Sequence, residues 1–223
     1  MEAGWFKEQV QQVAQDHVDI ARTLPAATLY EANGQRGALD PAIRQMAPGL
    51  KLCGSAFTVR CQPGDNLTLH AAVAFAKPGD VIVADTGDFS DAGHWGEILT
   101  VAAKSRNLAG LVINGGVRDI ATLGVWEFPV FARAVSMKAT TKRIRGLLNH
   151  PLVCGEVEIA PGDLLVGDED GVVAIRHSEI TDVLQRAHER ETKEARIMGR
   201  VRDGELTIDL LNMRSLVDPD AVE

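Results

Sequence analysis

The chain has 223 residues, 45% of them hydrophobic, which is enough to enclose one sizeable core and predicts a single domain over 1–223. A formal net charge of −8 disfavours a nucleic-acid partner, which needs a broad positive footprint, and none is expected. The three cysteines, Cys53, Cys61 and Cys154, are odd in number and too far apart for a metal cluster or a disulfide framework; with no signal-peptide pattern and no apolar run of bilayer length, a cytoplasmic protein without a membrane partner is expected.

Residues 5–22 alternate apolar and polar groups at helical spacing, with Val10, Val13, Ile20 and Ala21 inward, so 1–23 is expected to form an N-terminal helical segment. Leu24 to Asn33 predicts a second, short helix, and Ala47-Pro48-Gly49 a turn. Gly54 to Cys61 alternates as a half-buried strand, and Pro63-Gly-Asp-Asn66 opens a helix through His70 and Phe75 that Lys77-Pro-Gly-Asp80 stops. Asp80 to Asp85 reads as a buried strand, Trp95 to about Asn107 as a helix, and Leu108 to Asn114 as the next strand. Val130 to Val135, Val153 to Ile159 and Asp163 to Gly167 are further strands. Gly167-Asp-Glu-Asp-Gly171 lacks the spaced ligands and terminal Glu of a calcium loop and predicts a hairpin turn into Val172 to Ile175. Ser178 to Met198 is a long charged helix, and Leu206 to Leu211 a last strand or edge segment. The pattern is an α/β core over 24–177 with a mixed central sheet flanked by helices, followed by a helix and tail over 178–223. No repeat, P-loop or Gly-x-Gly-x-x-Gly fingerprint is present.

One helix down and one strand up bring residues 96–99 back to residues 118–119, at the carboxyl ends of strands, where open α/β sheets usually place ligands. The free first-turn amides of Ile98 and Leu99 suit a small carboxylate. Arg118 offers a rigid, permanently charged fork for a carboxylate or an enolate oxygen. Asp119 is a hard oxygen ligand able to hold Mg²⁺ with water and substrate in the remaining positions. Gly115-Gly116 lets the backbone turn tightly beside a ligand. The set describes a metal-assisted site for a small 2-oxo acid. His94 borders it and is a candidate for proton transfer. His70 lies in an apolar helix and reads as a core residue, whereas His17, His150, His177 and His188 read as surface.

The segments Gly79-Asp-Val-Ile-Val-Ala-Asp-Thr86, Trp95-Gly-Glu-Ile-Leu-Thr-Val-Ala-Ala103, Gly110-Leu-Val-Ile-Asn-Gly-Gly-Val-Arg-Asp119, Phe128-Pro-Val-Phe-Ala-Arg133 and Pro161-Gly-Asp-Leu-Leu-Val-Gly-Asp-Glu-Asp-Gly-Val-Val173 resemble the RraA-like family over roughly residues 24–197. Within it they are most similar to the 4-hydroxy-4-methyl-2-oxoglutarate / 4-carboxy-4-hydroxy-2-oxoadipate aldolases. The resemblance implies a swivelling α/β/α-type fold and a class II pyruvate aldolase that uses Mg²⁺ or Mn²⁺ and also decarboxylates oxaloacetate. It implies substrate contacts from Gly96, Glu97, Ile98, Leu99 and Arg118, catalytic roles for Arg118 and Glu97, and a direct metal ligand in Asp119. Glu97, where the family pattern has Asp, would act in the outer metal shell through water. Glu194 of a neighbouring subunit, with Glu191 next, would join it there, which implies a homotrimer or homohexamer. The family's other branch, regulators that bind ribonuclease E, is the alternative.

A class I mechanism needs a Schiff-base lysine in a desolvated pocket. No lysine is expected near the motif, the nearest being Lys104, well down the helix. The basic run Lys138 to Arg145 reads as a solvated face.

Overall fold

The computed structural model of the chain describes residues 4–7 and 10–217. Two helices, α1 (Gln15–Thr23) and α2 (Ala26–Ala32), precede β1 (Arg44–Gln45) and β2 (Leu52–Arg60). Then follow α3 (Leu67–Phe75), β3 (Asp80–Asp85), β4 (Gly93–Trp95), α4 (Glu97–Ser105), β5 (Gly110–Val117), α5 (Ile120–Leu123) and β6 (Val130–Val135). Short strands β7 (Leu147–Leu148), β8 (Leu152–Cys154) and β9 (Val157–Ile159) lead to the hairpin β10 (Leu164–Asp168) and β11 (Gly171–Ile175). The chain ends in α6 (Ile180–Arg202), α7 (Thr207–Leu210) and α8 (Arg214–Val217).

The principal sheet runs β1-β6-β5-β3-β2-β10-β11, parallel from β6 to β2 and antiparallel beyond. The apolar runs of β2, β3 and β5 are explained by cover on both faces. Phe57, Val59, Ile82, Ala84, Leu111 and Ile113 face α3 and α4, whereas Ala56, Val81, Val83 and Val112 face the opposite way, toward Phe131, Leu165 and the β8–β9 hairpin. Phe131 on β6 lies against Gly167 on β10, with three strands between them in the order, so the sheet curls until it is nearly closed. A further apolar cluster joins α1, α2 and the start of α6 to β10 and β11.

The expected N-terminal helix starts only at Gln15. Upstream, Phe6 bridges Leu148 as an extended segment, and Trp5 and Phe6 pack with Phe57 and Phe75, so aromatic burial overrides helical spacing there. Val13 and Ala21 are buried as expected, but Ile20 is exposed. The strand over 54–61 is not half-buried, because β2 sits between β3 and β10 with both faces covered. Residues 153–159 form two strands with Gly155 and Glu156 at positive φ in the turn, and the expected final strand at 206–211 is the short helix α7. Among the described residues no helix is long and apolar enough to cross a membrane.

Candidate active site

The carboxyl end of β5 is served by two neighbours in succession. β3 pairs with it as far as Asn114, and β4 pairs beyond, with Gly93 opposite Gly116 and Trp95 opposite Val117. Gly115 and Gly116 make this possible from within the strand; they do not form the expected turn. A Cβ at Gly115 would stand 2.5 Å from the Thr86 hydroxyl, and one at Gly116 would stand 2.4 Å from the Ala92 carbonyl oxygen. The close approach expected of these glycines is to the chain's own 86–92 segment.

β4 ends at Trp95, which fixes the start of α4. Its ring is fully buried and stacked on Phe128, and its Nε1 donates to Thr100 Oγ1 at 2.7 Å. The first intrahelical bond runs from Thr100 N to Gly96 O, so the amides of Glu97, Ile98 and Leu99 have no acceptor within α4. Arg118 and Asp119 follow β5 directly, and Arg118 N donates to Trp95 O at 2.8 Å, which fastens the two segments together. Asp119 adopts the left-handed conformation (φ 60°, ψ 33°), a costly choice for a residue with a side chain. That turn points its carboxylate at α4: Oδ2 accepts from Glu97 N at 3.0 Å and lies 3.6 Å from Arg118 Nε. Asp119 therefore caps α4 across space, a favourable place for an anion. Gly96 leaves the room for it, because a Cβ there would be 2.4 Å from Asp119 Oδ2.

Glu97 is half-buried and its Oε1 accepts from Trp126 Nε1 at 3.1 Å. Gly96, Glu97, Ile98, Leu99, Arg118 and Asp119 are thus brought to one place. Glu194 is not among them within one chain. It pairs with Arg190 on its own helix, which packs on α1 and α2, and Glu191 accepts from Thr28.

The α4 amides open onto a small cleft of about 60 Å³ whose walls also include Arg118, Asn66, His70 and Lys142. The last three come from distant stretches, and no local motif marks them. His70, expected in the core, is only partly buried; burial lowers its pKa, and the charge of Lys142 lowers it further. The expectation that no lysine is near fails, since Lys142 arrives from a loop 23 residues after Asp119. The basic run that contains it is exposed, as expected of a solvated face, with Lys138 paired to Asp91 and Arg145 over the Trp5 ring. His94 is fully buried. Its Nε2 accepts from Gly64 N at 3.2 Å and its Nδ1 lies 3.1 Å from Ala92 O, while burial lowers its pKa, so it staples two backbone segments and has no nitrogen left for substrate.

The donor set defines what ion could be held. Among the described residues no group of three or more His, Cys, Asp or Glu is placed to hold a metal. Asp119 and Glu97 are the carboxylates brought together there among the described residues, a set that fits an ion of the Mg²⁺ or Mn²⁺ type that keeps most positions for water and substrate, and does not fit a closed protein cage.

The sequence matches the family profile described as RraA-like, Aldolase/RraA, over residues 17–174. It is similar to a protein of Halalkalibacterium halodurans that carries the name "Putative 4-hydroxy-4-methyl-2-oxoglutarate aldolase", with 35% identity over 79% of this chain and 84% of the relative. The structure is similar to that of an uncharacterized protein from Pseudomonas syringae pv. tomato, with a TM-score of 0.81, 31% identity, and coverage of 90% of this chain and 94% of the other. It is also similar to the RNA-processing inhibitor RraA from Thermus thermophilis, with a TM-score of 0.63, 26% identity, and coverage of 68% and 92%. Fold and sequence agree: the chain belongs to the RraA-like family.

Proposed function

We propose that this chain is a divalent-metal-dependent pyruvate aldolase. Its substrates would be 4-hydroxy-4-methyl-2-oxoglutarate, 4-carboxy-4-hydroxy-2-oxoadipate or both, cleaved to pyruvate and a second 2-oxo acid, with oxaloacetate decarboxylation as a side activity. The observation that carries this reading is the meeting of Arg118, Asp119 and the free α4 amides at one strand end. Asp119 would hold Mg²⁺ or Mn²⁺, with Glu97 and, in a homotrimer or homohexamer, Glu194 of the partner subunit in the outer shell. A bound divalent ion supplies Lewis acidity toward the 2-oxo oxygen.

Retro-aldol cleavage and loss of CO₂ from oxaloacetate both leave the enolate of pyruvate, so one site serves both reactions. The Ile98 and Leu99 amides orient the carboxylate of the 2-oxo acid. Arg118 faces the negative charge that develops on the enolate oxygen, the interaction that distinguishes transition state from ground state. Glu97, oriented by Trp126, supplies a carboxylate beside the reacting carbons for moving a proton.

The test is pyruvate release from the two aldol substrates and from oxaloacetate, with Mg²⁺, with Mn²⁺ and with EDTA. Turnover that EDTA abolishes supports the reading. Trapping of pyruvate on Lys142 by borohydride would replace it with a class I mechanism. The likeness to the Thermus inhibitor favours one other reading, a partner-binding regulator of a ribonuclease. Silence on all three substrates, together with recovery of a ribonuclease in a pull-down, would establish that role instead.

A further inference from the structure

The other end of the sheet carries a cavity that the proposed reaction does not use. It holds about 390 Å³ at the amino ends of β2 and β3, where Ser55 and Asp80 stand opposite each other. Both strands run from there toward Arg60 and Asp85, and β5 runs alongside, so the length of the sheet separates this cavity from Arg118 and Asp119.

One side of the cavity is aromatic. The Phe6 ring lies 5.0 Å from Phe75 and 6.5 Å from Phe57, centroid to centroid, and all three line the space. Phe75, 48% exposed, and the exposed Lys77 mark its mouth.

The other side holds a buried charge. Asp80 is 5% exposed; Oδ1 accepts from Gln12 Nε2 at 2.7 Å and Oδ2 from Lys77 N at 2.7 Å, and the group makes no ion pair among the described residues. Two neutral donors fill about half of the acceptor positions of a carboxylate. Burial raises the pKa of Asp80; the bonds from Lys77 N and Gln12 oppose the shift without cancelling it, and the charge of Lys77 opposes it least. A desolvated carboxylate without a cation costs stability, and a cationic ligand relieves that cost. Asn149 supplies another acceptor to the same cavity: its Nδ2 donates to Lys7 O at 3.0 Å, and its Oδ1 has no hydrogen-bond partner among the described residues. A mostly apolar cavity of this size with a few convergent polar groups is the usual form of a small-molecule site, and aromatic faces beside a carboxylate favour a cation.

We propose that this cavity is a second ligand site, which takes a small aromatic primary amine with its ring among Phe6, Phe57 and Phe75 and its ammonium group on Asp80 and Asn149 Oδ1. The site goes beyond the aldolase reading and does not depend on it, and its test needs no substrate.

Calorimetric titration at about pH 7 with phenethylamine, 2-phenylethanol and 3-phenylpropionate compares one ring bearing a cation, a neutral hydroxyl group and an anion. The wild-type protein should bind the amine about tenfold more tightly than the alcohol, the size of one charge-assisted contact, and the acid more weakly than either. Asp80→Asn should abolish the margin between amine and alcohol and leave alcohol binding within about twofold, since the Gln12 amide can turn over to meet the new amide group. Phe75→Ala, a change at a half-exposed position, should weaken amine and alcohol alike by about fivefold, and it decides the matter if Asp80→Asn fails to fold. Absence of amine binding at millimolar concentration, equal binding of the three probes, a margin that survives in Asp80→Asn, or amine binding at wild-type strength in Phe75→Ala overturns the site.

Discussion

Replacing Gly96 with alanine would set a methyl carbon 2.4 Å from Asp119 Oδ2, 3.0 Å from Arg118 Cγ and 3.2 Å from Arg118 Nε. The backbone at Gly96 is extended, so the substitution carries no torsional penalty of its own. Ordinary contact begins near 3.4 Å, so the carboxylate must retreat by about 1 Å, which stretches the 3.0 Å bond from Glu97 N beyond hydrogen-bonding range. Loss of a helix cap of this kind costs about 1–2 kcal/mol, and in a chain of this size roughly 2–4 °C of melting temperature for each kcal/mol. The catalytic effect should be larger, since a displacement of 1 Å in a positioned group costs about a hundredfold in rate. Gly96→Ala should therefore melt a few degrees low by circular dichroism and lose about two orders of magnitude in kcat/KM for pyruvate release. Gly124→Ala is the control: that glycine has helical torsions and the added Cβ meets only Ala47 at 3.5 Å, so both quantities should stay at wild-type values. Wild-type kcat/KM in Gly96→Ala would refute the claim that Asp119 works from its seat on α4.

Arg118→Ala should cost about 3 kcal/mol or more of transition-state stabilisation, by comparison with removal of one oxyanion donor, and near-normal turnover would remove Arg118 from the mechanism. Trp126→Phe deletes the donor to Glu97 Oε1 and should lower kcat by up to about tenfold with KM little changed; a change confined to KM would show that Glu97 acts in binding. Asp65→Asn should lose about 3 kcal/mol, because the donors of the 141–144 segment face a charged acceptor that the amide does not replace. Burial alone would raise the Asp65 pKa, but the hydrogen bonds from Thr141, Arg143, Leu67 and Ile144 outweigh it and hold the group below its ordinary value. Its contribution is therefore full above about pH 4 and is lost as the pH falls through the lowered folded-state pKa. The gap between wild-type and Asp65→Asn urea midpoints should shrink from pH 7 to pH 3; a constant gap would contradict this account.

The parallel strands were legible because burial on both faces leaves no choice but continuous apolar runs, as in Asp80 to Asp85. The sequence also carried the meeting of residues 96–99 with 118–119, since a helix and a strand of ordinary length return the chain to one edge. The N-terminal residues misled because Trp5 and Phe6 satisfy helical spacing yet bury against Phe57 and Phe75 in an extended segment, a contact decided by residues far along the chain. His94 and Lys142 exchanged their expected parts for the same reason. Position along the chain placed His94 at the site, where backbone groups occupy both of its nitrogens, and hid Lys142, whose approach depends on the buried clamp of Asp65. The capping of α4 by Asp119 was equally hidden, since it depends on a left-handed turn at a non-glycine residue.

The bare strand positions Gly115 and Gly116 divide the labour of change over evolutionary time. The strand end that carries Arg118 and Asp119 is located by close packing on the 86–92 segment, through the Thr86 side chain at Gly115 and through backbone laid directly on backbone at Gly116. The opposite wall of the cleft is made of side chains from the start of α3 and from the 141–144 loop, joined by one carboxylate. Mutation can therefore remodel that wall while the arginine and aspartate remain where the strand delivers them. A lineage with this architecture can vary one wall of the cleft without moving the other.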